Sequence, residues 1–363
     1  MAVRDAIQID YVIKRCGVDL KARGSGLLGL CPFHDEKTPS FQVKPAHGFY
    51  KCFGCGKGGD AFSFIMEYHK VGFVEAVKII ADLYNVRIET ETITPEEEQA
   101  VNERTEMLRI NRASAGKYQN CLLQLDYPEH HAGAVIAKSY LENERGMSQE
   151  TMLKFYIGWA PDAWKFLTPM IIEKGLFDPA SKLGLVATKN ESNYDVFRNR
   201  IIFPIHDVSG NVVAFGGRTL LSKEECKSTG TAKYLNSHDS VVFNKSKVLY
   251  GLYQAQKAIR ELKYAILVEG YTDVTSFHQY GAENTVATCG TALTTEHAKL
   301  LKRFTEHVVV CRDADDAGMK ATMRDIDVLL QHGFKVDVLP LPLGEDPDTF
   351  ARQFSHAQLE PAA

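Results

Sequence analysis

Cys31-Pro32-Phe33-His34 is followed, after seventeen residues, by Cys52-Phe53-Gly54-Cys55. Three thiolates and one imidazole at this spacing make a closed tetrahedral set for one structural zinc ion, with no position left for substrate. Pro32 and Gly54 let the backbone fold back on the metal. The segment between the pairs must return to its start, and it reads as a hairpin: Ser40 to Val43 and Phe49 to Cys52 as strands, Lys44 to Gly48 as the turn. His47 sits in that turn, where four ligands are already supplied. Asp60 precedes a helical pattern from Ala61 to Tyr68, and Phe73 to Tyr84 repeats apolar residues at helical spacing. A zinc-ribbon domain over residues 1–90 is expected. Lys37, Lys44, Lys51 and Lys57 alternate with Phe41, Phe49, Tyr50 and Phe53, a mixture suited to single-stranded nucleic acid at the exposed edge of the hairpin.

The remaining 270 or so residues need a different architecture. Residues 91–112 are rich in Glu, Thr, Asn and Arg and read as a linker grading into a helix that starts near Pro95. Residues 113–256 mix helices with strands such as Ile201 to Ile205 and Val212 to Phe215, an α+β subdomain. From Tyr264 onward, short apolar strands alternate with helix-length segments: Tyr264 to Val268, Thr285 to Thr288, His307 to Cys311 and Lys335 to Leu339. That pattern predicts an α/β domain with a parallel sheet covered on both faces, over residues 257–345. Residues 346–363 carry a last acidic pair and the start of a further helical region. The fold class is thus multidomain α+β and α/β.

Acidic residues recur where those strands end. Glu269 follows the first, Asp313 and Asp315 the third, Asp346 and Asp348 the fourth. In a parallel sheet all five fall at the carboxyl edge, where open α/β folds bind ligands. Five converging carboxylates repel one another unless cations neutralise them. Two or more Mg2+ or Mn2+ ions answer that need, and a pair of them suits in-line phosphoryl displacement. Cationic side chains lie between the two metal-binding ends of the chain, beside strands and glycines: Arg198, Arg200, Arg218, Lys233 with Asn236, and Lys245. They suit a nucleoside triphosphate and a template backbone.

Composition limits rather than directs. The formal net charge is −4, so any nucleic-acid surface must be local. Hydrophobic residues make up 45% of the chain, yet no stretch approaches 18 uninterrupted apolar residues and the N-terminus has no apolar signal core, which points to a cytoplasmic protein without a membrane partner. Cys16, Cys121, Cys226, Cys289 and Cys311 lack ligand spacing, as expected in a reducing compartment.

Taken in order, these motifs resemble the bacterial-type DNA primase (DnaG) family. Leu30 to Phe41 with Cys52 to Cys55 is similar to its zinc-binding domain. Phe197 to Pro204, Phe215 to Arg218, Lys233 to Asn236 and Leu249 to Leu252 are similar to the basic subdomain of its RNA polymerase core, and Val268 to Tyr271 with the two Asp-x-Asp pairs to its TOPRIM fold. The resemblance implies synthesis of short RNA primers from ribonucleoside triphosphates on single-stranded DNA at the replication fork. It implies metal-binding roles for Glu269, Asp313, Asp315, Asp346 and Asp348, of which the first three would be catalytic. It further implies nucleotide or template contacts for Arg145, Arg198, Arg200, Arg218, Lys233, Asn236 and Lys245. A monomer is expected. The family's replicative helicase partner has no binding domain in this chain, which suggests a shortened, phage-type or fragmentary member. Ala314, Arg312 and Asp316 depart from the family's usual residues beside the first aspartates. Other TOPRIM enzymes, such as type IA topoisomerases and OLD-type nucleases, fit less well: no region supplies a gate tyrosine, and the zinc motif precedes a basic subdomain. A non-catalytic nucleic-acid-binding protein is the alternative from a different class.

Overall fold

The computed structural model describes residues 7–84, 94–123, 127–342 and 344–353. It divides into two compact units, Met1–Thr94 and Pro95–Ala363.

In the first unit a five-stranded antiparallel sheet runs in sequence order: β1 (Lys21–Arg23), β2 (Gly26–Gly29), β3 (Phe41–Lys44), β4 (Phe49–Cys52) and β5 (Gly58–Gly59). Helices α1 (Ile9–Arg15), α2 (Ala61–His69) and α3 (Phe73–Leu83) accompany it. The β3–β4 hairpin has the expected position, with Phe41 opposite Cys52 and Val43 opposite Tyr50. Phe41, Val43 and Tyr50 point into a core with Phe64, Ile65, Ile13 and Ile80. The turn is closed by Gly48 at φ 66°, a left-handed conformation that suits glycine. Asp60 starts α2 by accepting from the Ser63 N–H at 2.8 Å.

The second unit opens with α4 (Pro95–Leu123), so the linker expected over 91–112 is helical from Pro95 onward; residues 91–93 lie outside the described residues. The physical reason is a late apolar stripe. Met107, Ile110, Tyr118 and Leu122 are buried, while Glu97 and Glu98 near the start of the helix are exposed. Helices α5 (His131–Ser139), α6 (Gln149–Lys154), α7 (Thr168–Glu173), α8 (Phe177–Lys182) and α9 (Lys223–Thr229) are interspersed in sequence with the strands of a four-stranded antiparallel sheet. Its order is β11 (Tyr234–Asn236), β10 (Val212–Thr219), β9 (Arg200–His206), β6 (Gly158–Ala160), and a separate ribbon pairs β7 (Val186–Lys189) with β8 (Ser192–Asp195). α4 lies close on β6 because Gly158 has no side chain: a Cβ there would sit 2.6 Å from the Tyr118 backbone.

The second sheet has the order β12 (Leu249–Tyr250), β14 (Thr285–Thr288), β13 (Ala265–Val268), β15 (His307–Val310), β16 (Lys335–Val338). It is parallel except for β12, which pairs antiparallel with β14. Successive residues of β13 feed different cores: Ala265 and Leu267 pack with Leu329 and Phe334, Ile266 and Val268 with Tyr271 and Phe277. That two-sided burial explains the unbroken apolar runs. Helices α10 (Leu252–Leu262), α11 (Tyr271–Gln279), α12 (Thr295–Lys302), α13 (Asp316–Gln331) and α14 (Pro347–Gln353) complete the unit. α10 spans the boundary expected at 256/257.

Candidate zinc centre and acidic active site

The four predicted zinc ligands come together. Their ligand atoms all lie within 4.8 Å of one another, the only such group of three or more metal-ligating side chains among the described residues. Cys31 Sγ and Cys55 Sγ are 3.8 Å apart, and Cys52 Sγ is 3.9 Å from His34 Nδ1. A tetrahedron with Zn–S near 2.3 Å has S···S edges of about 3.8 Å, so the residues fit the ion. Backbone N–H groups of Phe33, Gly54 and Cys55 point at Cys31 or Cys52 sulfur at 3.3 to 3.4 Å. Gly54 is required by the histidine, since a Cβ there would lie 2.5 Å from His34 Nε2.

Sequence reading missed Glu36. Its Oε1 accepts from the N–H groups of Cys31 at 2.7 Å and Ser40 at 3.1 Å, and its Oε2 lies 3.3 Å from His34 Nε2. The Ser40 hydroxyl, with these N–H groups, holds the carboxyl below its ordinary pKa. A carboxylate behind a metal-binding histidine fixes the ring's tautomer and direction. The signal available was an acid two residues beyond the ligand. Of the four aromatic residues read as a nucleic-acid surface, Phe41 and Tyr50 are core, whereas Phe49 and Phe53 are 39% and 73% exposed. Lys44 lies 5.8 Å above the Phe49 ring.

In the second unit, Glu269 follows β13, Asp313 follows β15 and Asp346 precedes α14. They line a cavity of about 410 Å³, together with Asp273, Asp348, Arg145, Arg218, Lys233 and Asn236. Burial, then Glu269, Asp346 and Asp315, push the Asp313 carboxyl up to about 6. Asp273, also missed from sequence, is pushed up to about 7 mainly by burial, although its Oδ2 accepts the Gly270 N–H at 2.7 Å. Its cue was its place three residues after the Gly270 that starts α11. Mutual repulsion among hard oxygen donors favours a divalent cation, so the donor set fits Mg2+ or Mn2+.

The other acids have local partners. Asp348 is 2% exposed, and its carboxylate receives Arg145 at 2.8 Å, Arg352 at 2.5 Å and the Ser276 hydroxyl at 2.5 Å. These bonds anchor α14 to Arg145 and α11 at the edge of the cavity. Asp315 caps α13 by accepting the Gly318 N–H at 2.7 Å and is not among the residues lining the cavity.

The predicted cations divide likewise. The Arg218 guanidinium lies 4.7 Å over Tyr140; it is 7% exposed, and its Nη1 is buried with no hydrogen-bond partner among the described residues. Arg145 donates to the Tyr140 hydroxyl at 2.5 Å, so one ring orders both arginines. Asn236 is held by the Tyr271 hydroxyl at 3.0 Å and the Cys289 carbonyl at 3.3 Å. Three cations lie elsewhere. Arg200 is buried and donates to the carbonyls of Gly217 at 3.0 Å and Ala232 at 2.9 Å, fastening β10 to the loop before β11. Arg198 stacks 4.2 Å over Trp164 and 5.4 Å over Tyr194. Lys245 contributes backbone contacts to Asp239 and His297. Arg312, at one of the unusual positions, is neutralised by Asp325 at 2.5 Å and donates to the Val268 carbonyl at 2.9 Å, bracing the strand end that carries Glu269.

The second unit joins an antiparallel sheet bearing cationic side chains to a parallel sheet with an acidic edge, the first unit is a zinc ribbon, and comparison with known proteins makes the class specific. Residues 1–96 match the CHC2 zinc finger, 125–256 the N-terminal domain of the DNA primase catalytic core, and 266–351 the Toprim-like family. A DNA primase of Halalkalibacterium halodurans is 42% identical over 340 residues, covering 93% of this chain and 54% of that protein. One from Clostridium acetobutylicum is 41% identical over 348 residues, covering 95% and 54%. The crystal structure of the zinc-binding and RNA polymerase domains of Aquifex aeolicus primase covers 99% of this chain and 83% of that one, with 34% identity and a TM-score of 0.62. A DnaG primase catalytic domain bound to single-stranded DNA matches with 35% identity and a TM-score of 0.63, over 71% of this chain and 78% of that one. The chain belongs to the DNA primase family. It spans about half the length of the curated relatives it matches.

Proposed function

We propose that this protein synthesises short RNA primers from ribonucleoside triphosphates on single-stranded DNA, with one structural zinc and two or more magnesium or manganese ions. The observation that carries this reading is the cavity in which Glu269, Asp313 and Asp346 face Arg218 and Lys233. Acids alone would suit many Toprim chemistries. Acids opposite a buried arginine with an unused N–H suit a bound polyphosphate, because that N–H gains a charged acceptor when the ligand arrives.

Glu269, Asp313 and Asp346 would hold the divalent ions, which supply charge neutralisation at the reacting phosphate and activation of the attacking hydroxyl. Arg218 and Lys233 bind the triphosphate, and Arg145, fixed by Asp348 and Tyr140, keeps the cationic wall in place. Asp315 acts by holding the start of α13, and so the loop bearing Asp313. Asp348 contributes through Arg145 and α14. Arg198, stacked on the exposed Trp164, offers a template contact away from the cavity. Arg200 and Lys245 support the scaffold. The zinc unit, with Phe49 and Phe53 exposed, contacts template. A monomer working in the cytoplasm accords with this reading, with a replicative helicase as the partner expected for the family.

Primer synthesis on single-stranded DNA with four ribonucleotides and Mg2+ tests the proposal. Asp313→Ala should abolish synthesis while zinc content and template binding persist. Absence of primers from the unmodified chain, together with relaxation or cutting of supercoiled DNA, would overturn it.

A further inference from the structure

Arg218 lies opposite Ile201 near the start of β9, and His206 ends the same strand. Five residues of extended chain place the two ends about 17 Å apart. A second cavity, of about 320 Å³, opens at the His206 end. That volume lies in the range of small-ligand pockets.

Its walls are aromatic and its rim is cationic. Tyr156 and Tyr253 line it and are 43% and 42% exposed. His206, only 8% exposed, stacks on Tyr253 at 5.9 Å and 28° and meets Tyr156 edge-on at 6.4 Å. Tyr156 follows the end of α6 with φ 58°, a position where glycine is usual because a Cβ costs on the order of 1 kcal/mol. Bonds from the Tyr156 and Ile157 N–H groups to the Leu153 and Met152 carbonyls, at 3.2 and 2.9 Å, fix that backbone. Tyr253 rests on bare backbone, since a Cβ at Gly210 would lie 2.7 Å from its ring. Both rings are therefore held in place, yet neither is fully covered.

The polar groups are selective. Gln254 places Nε2 3.5 Å from His206 Nδ1, and its Oε1 is buried with no hydrogen-bond partner among the described residues. A stranded acceptor of this kind costs about 1–3 kcal/mol and is relieved by an N–H donor. Lys154 at the rim is paired with Glu283 at 2.5 Å, whereas Arg112 makes no ion pair among the described residues. Burial lowers His206 to about 4, against the raising influence of neighbouring Asp207, so the imidazole is neutral and Arg112 is the cation lining the cavity that has no ion pair among the described residues.

We propose that this cavity binds a nucleobase carrying a phosphate, separately from the acidic site. The base stacks with Tyr156 and Tyr253, an amino group on its edge donates to Gln254 Oε1, and the phosphate meets Arg112. Such a group is supplied either by a free mononucleotide or by one unstacked base of a single strand.

Calorimetric titration of the full chain without added Mg2+ tests this with adenosine monophosphate and ribose 5-phosphate as probes. Saturable adenosine monophosphate binding is expected, at least tenfold stronger than that of ribose 5-phosphate. Tyr156→Gly should weaken it at least tenfold without lowering Tm, because glycine accepts the backbone conformation; Tyr253→Ala should also weaken it. Arg218→Ala should leave it within twofold. Stronger competition by tetradeoxyadenylate than by the mononucleotide would identify a single strand as the source, and weaker competition a free nucleotide. No binding, equal binding of the base-free sugar phosphate, or loss with Arg218→Ala but not Tyr156→Gly would overturn the proposal.

Discussion

Gly318 has no room for a methyl group. A Cβ there would lie 2.1 Å from the Asp313 carbonyl oxygen and 2.9 Å from its carbon, both backbone atoms. Gly318→Ala should therefore push the Asp313 loop off the start of α13. A loss of about 1–3 kcal/mol of stability is expected. Primer synthesis should fall on the order of 100-fold, the usual penalty for displacing a catalytic group by about 1 Å. Thermal melting and primer assays together check both. His278 gives a pH prediction. It is buried, its Nε2 lies 2.9 Å from the Thr285 carbonyl, and burial lowers its pKa to about 4 from the ordinary 6.5. Below pH 6.5 the unfolded chain takes up a proton there that the folded chain refuses, so this contribution to stability is lost as pH falls from 6.5 toward 4. Asp273, raised to about 7, works in the opposite direction. Tm of His278→Gln should thus fall less steeply between pH 6.5 and 4.5 than Tm of the unmodified chain; an equal slope would refute the assignment.

At the level of elements, the hairpin carrying the zinc ligands was legible because two spacing rules, metal knuckles and alternating strands, agreed on the same residues. The four parallel strands were legible for a similar reason: both faces are buried, so every residue from Ala265 to Val268 is apolar. What escaped was whatever depends on distant partners. Arg200 looks like any basic residue beside a strand, and only the carbonyls of Gly217 and Ala232 reveal it as a fastener. Asp348 sits in an acidic motif, yet its partner Arg145 is 203 residues away. The start of α4 at Pro95 was legible, but a charged composition without an apolar stripe until Met107 made its first turns read as a linker grading into helix. Glu36 links two elements of the zinc unit and yields a further prediction. Glu36→Gln should weaken zinc binding 10- to 100-fold, read by competition with a chromophoric chelator, while His34 remains a ligand. Unchanged affinity would reduce Glu36 to a loop brace.

Across the whole molecule, each compact unit owns its hydrophobic core, one centred on Phe41, Tyr50 and Phe64, the others on the two sheets of residues 95–363. Removing zinc should melt the first unit alone, because metal binding and folding are coupled in small ribbons. Circular dichroism after chelation should show loss of the 7–84 signal, and calorimetry an unmoved transition for the remainder; a shared shift would mean one cooperative block. The edge strand β12 bears on how this protein can be dissected. Leu249 and Tyr250 occupy the hydrogen-bonding edge of β14, opposite Thr288 and Ala287. A recombinant piece beginning at residue 257 would leave the β14 edge with unpaired backbone groups, a template for chain-to-chain pairing. Starting such a piece upstream of Leu249 keeps the sheet sheathed by its own chain, and separates a fragment that stays dispersed from an aggregating one.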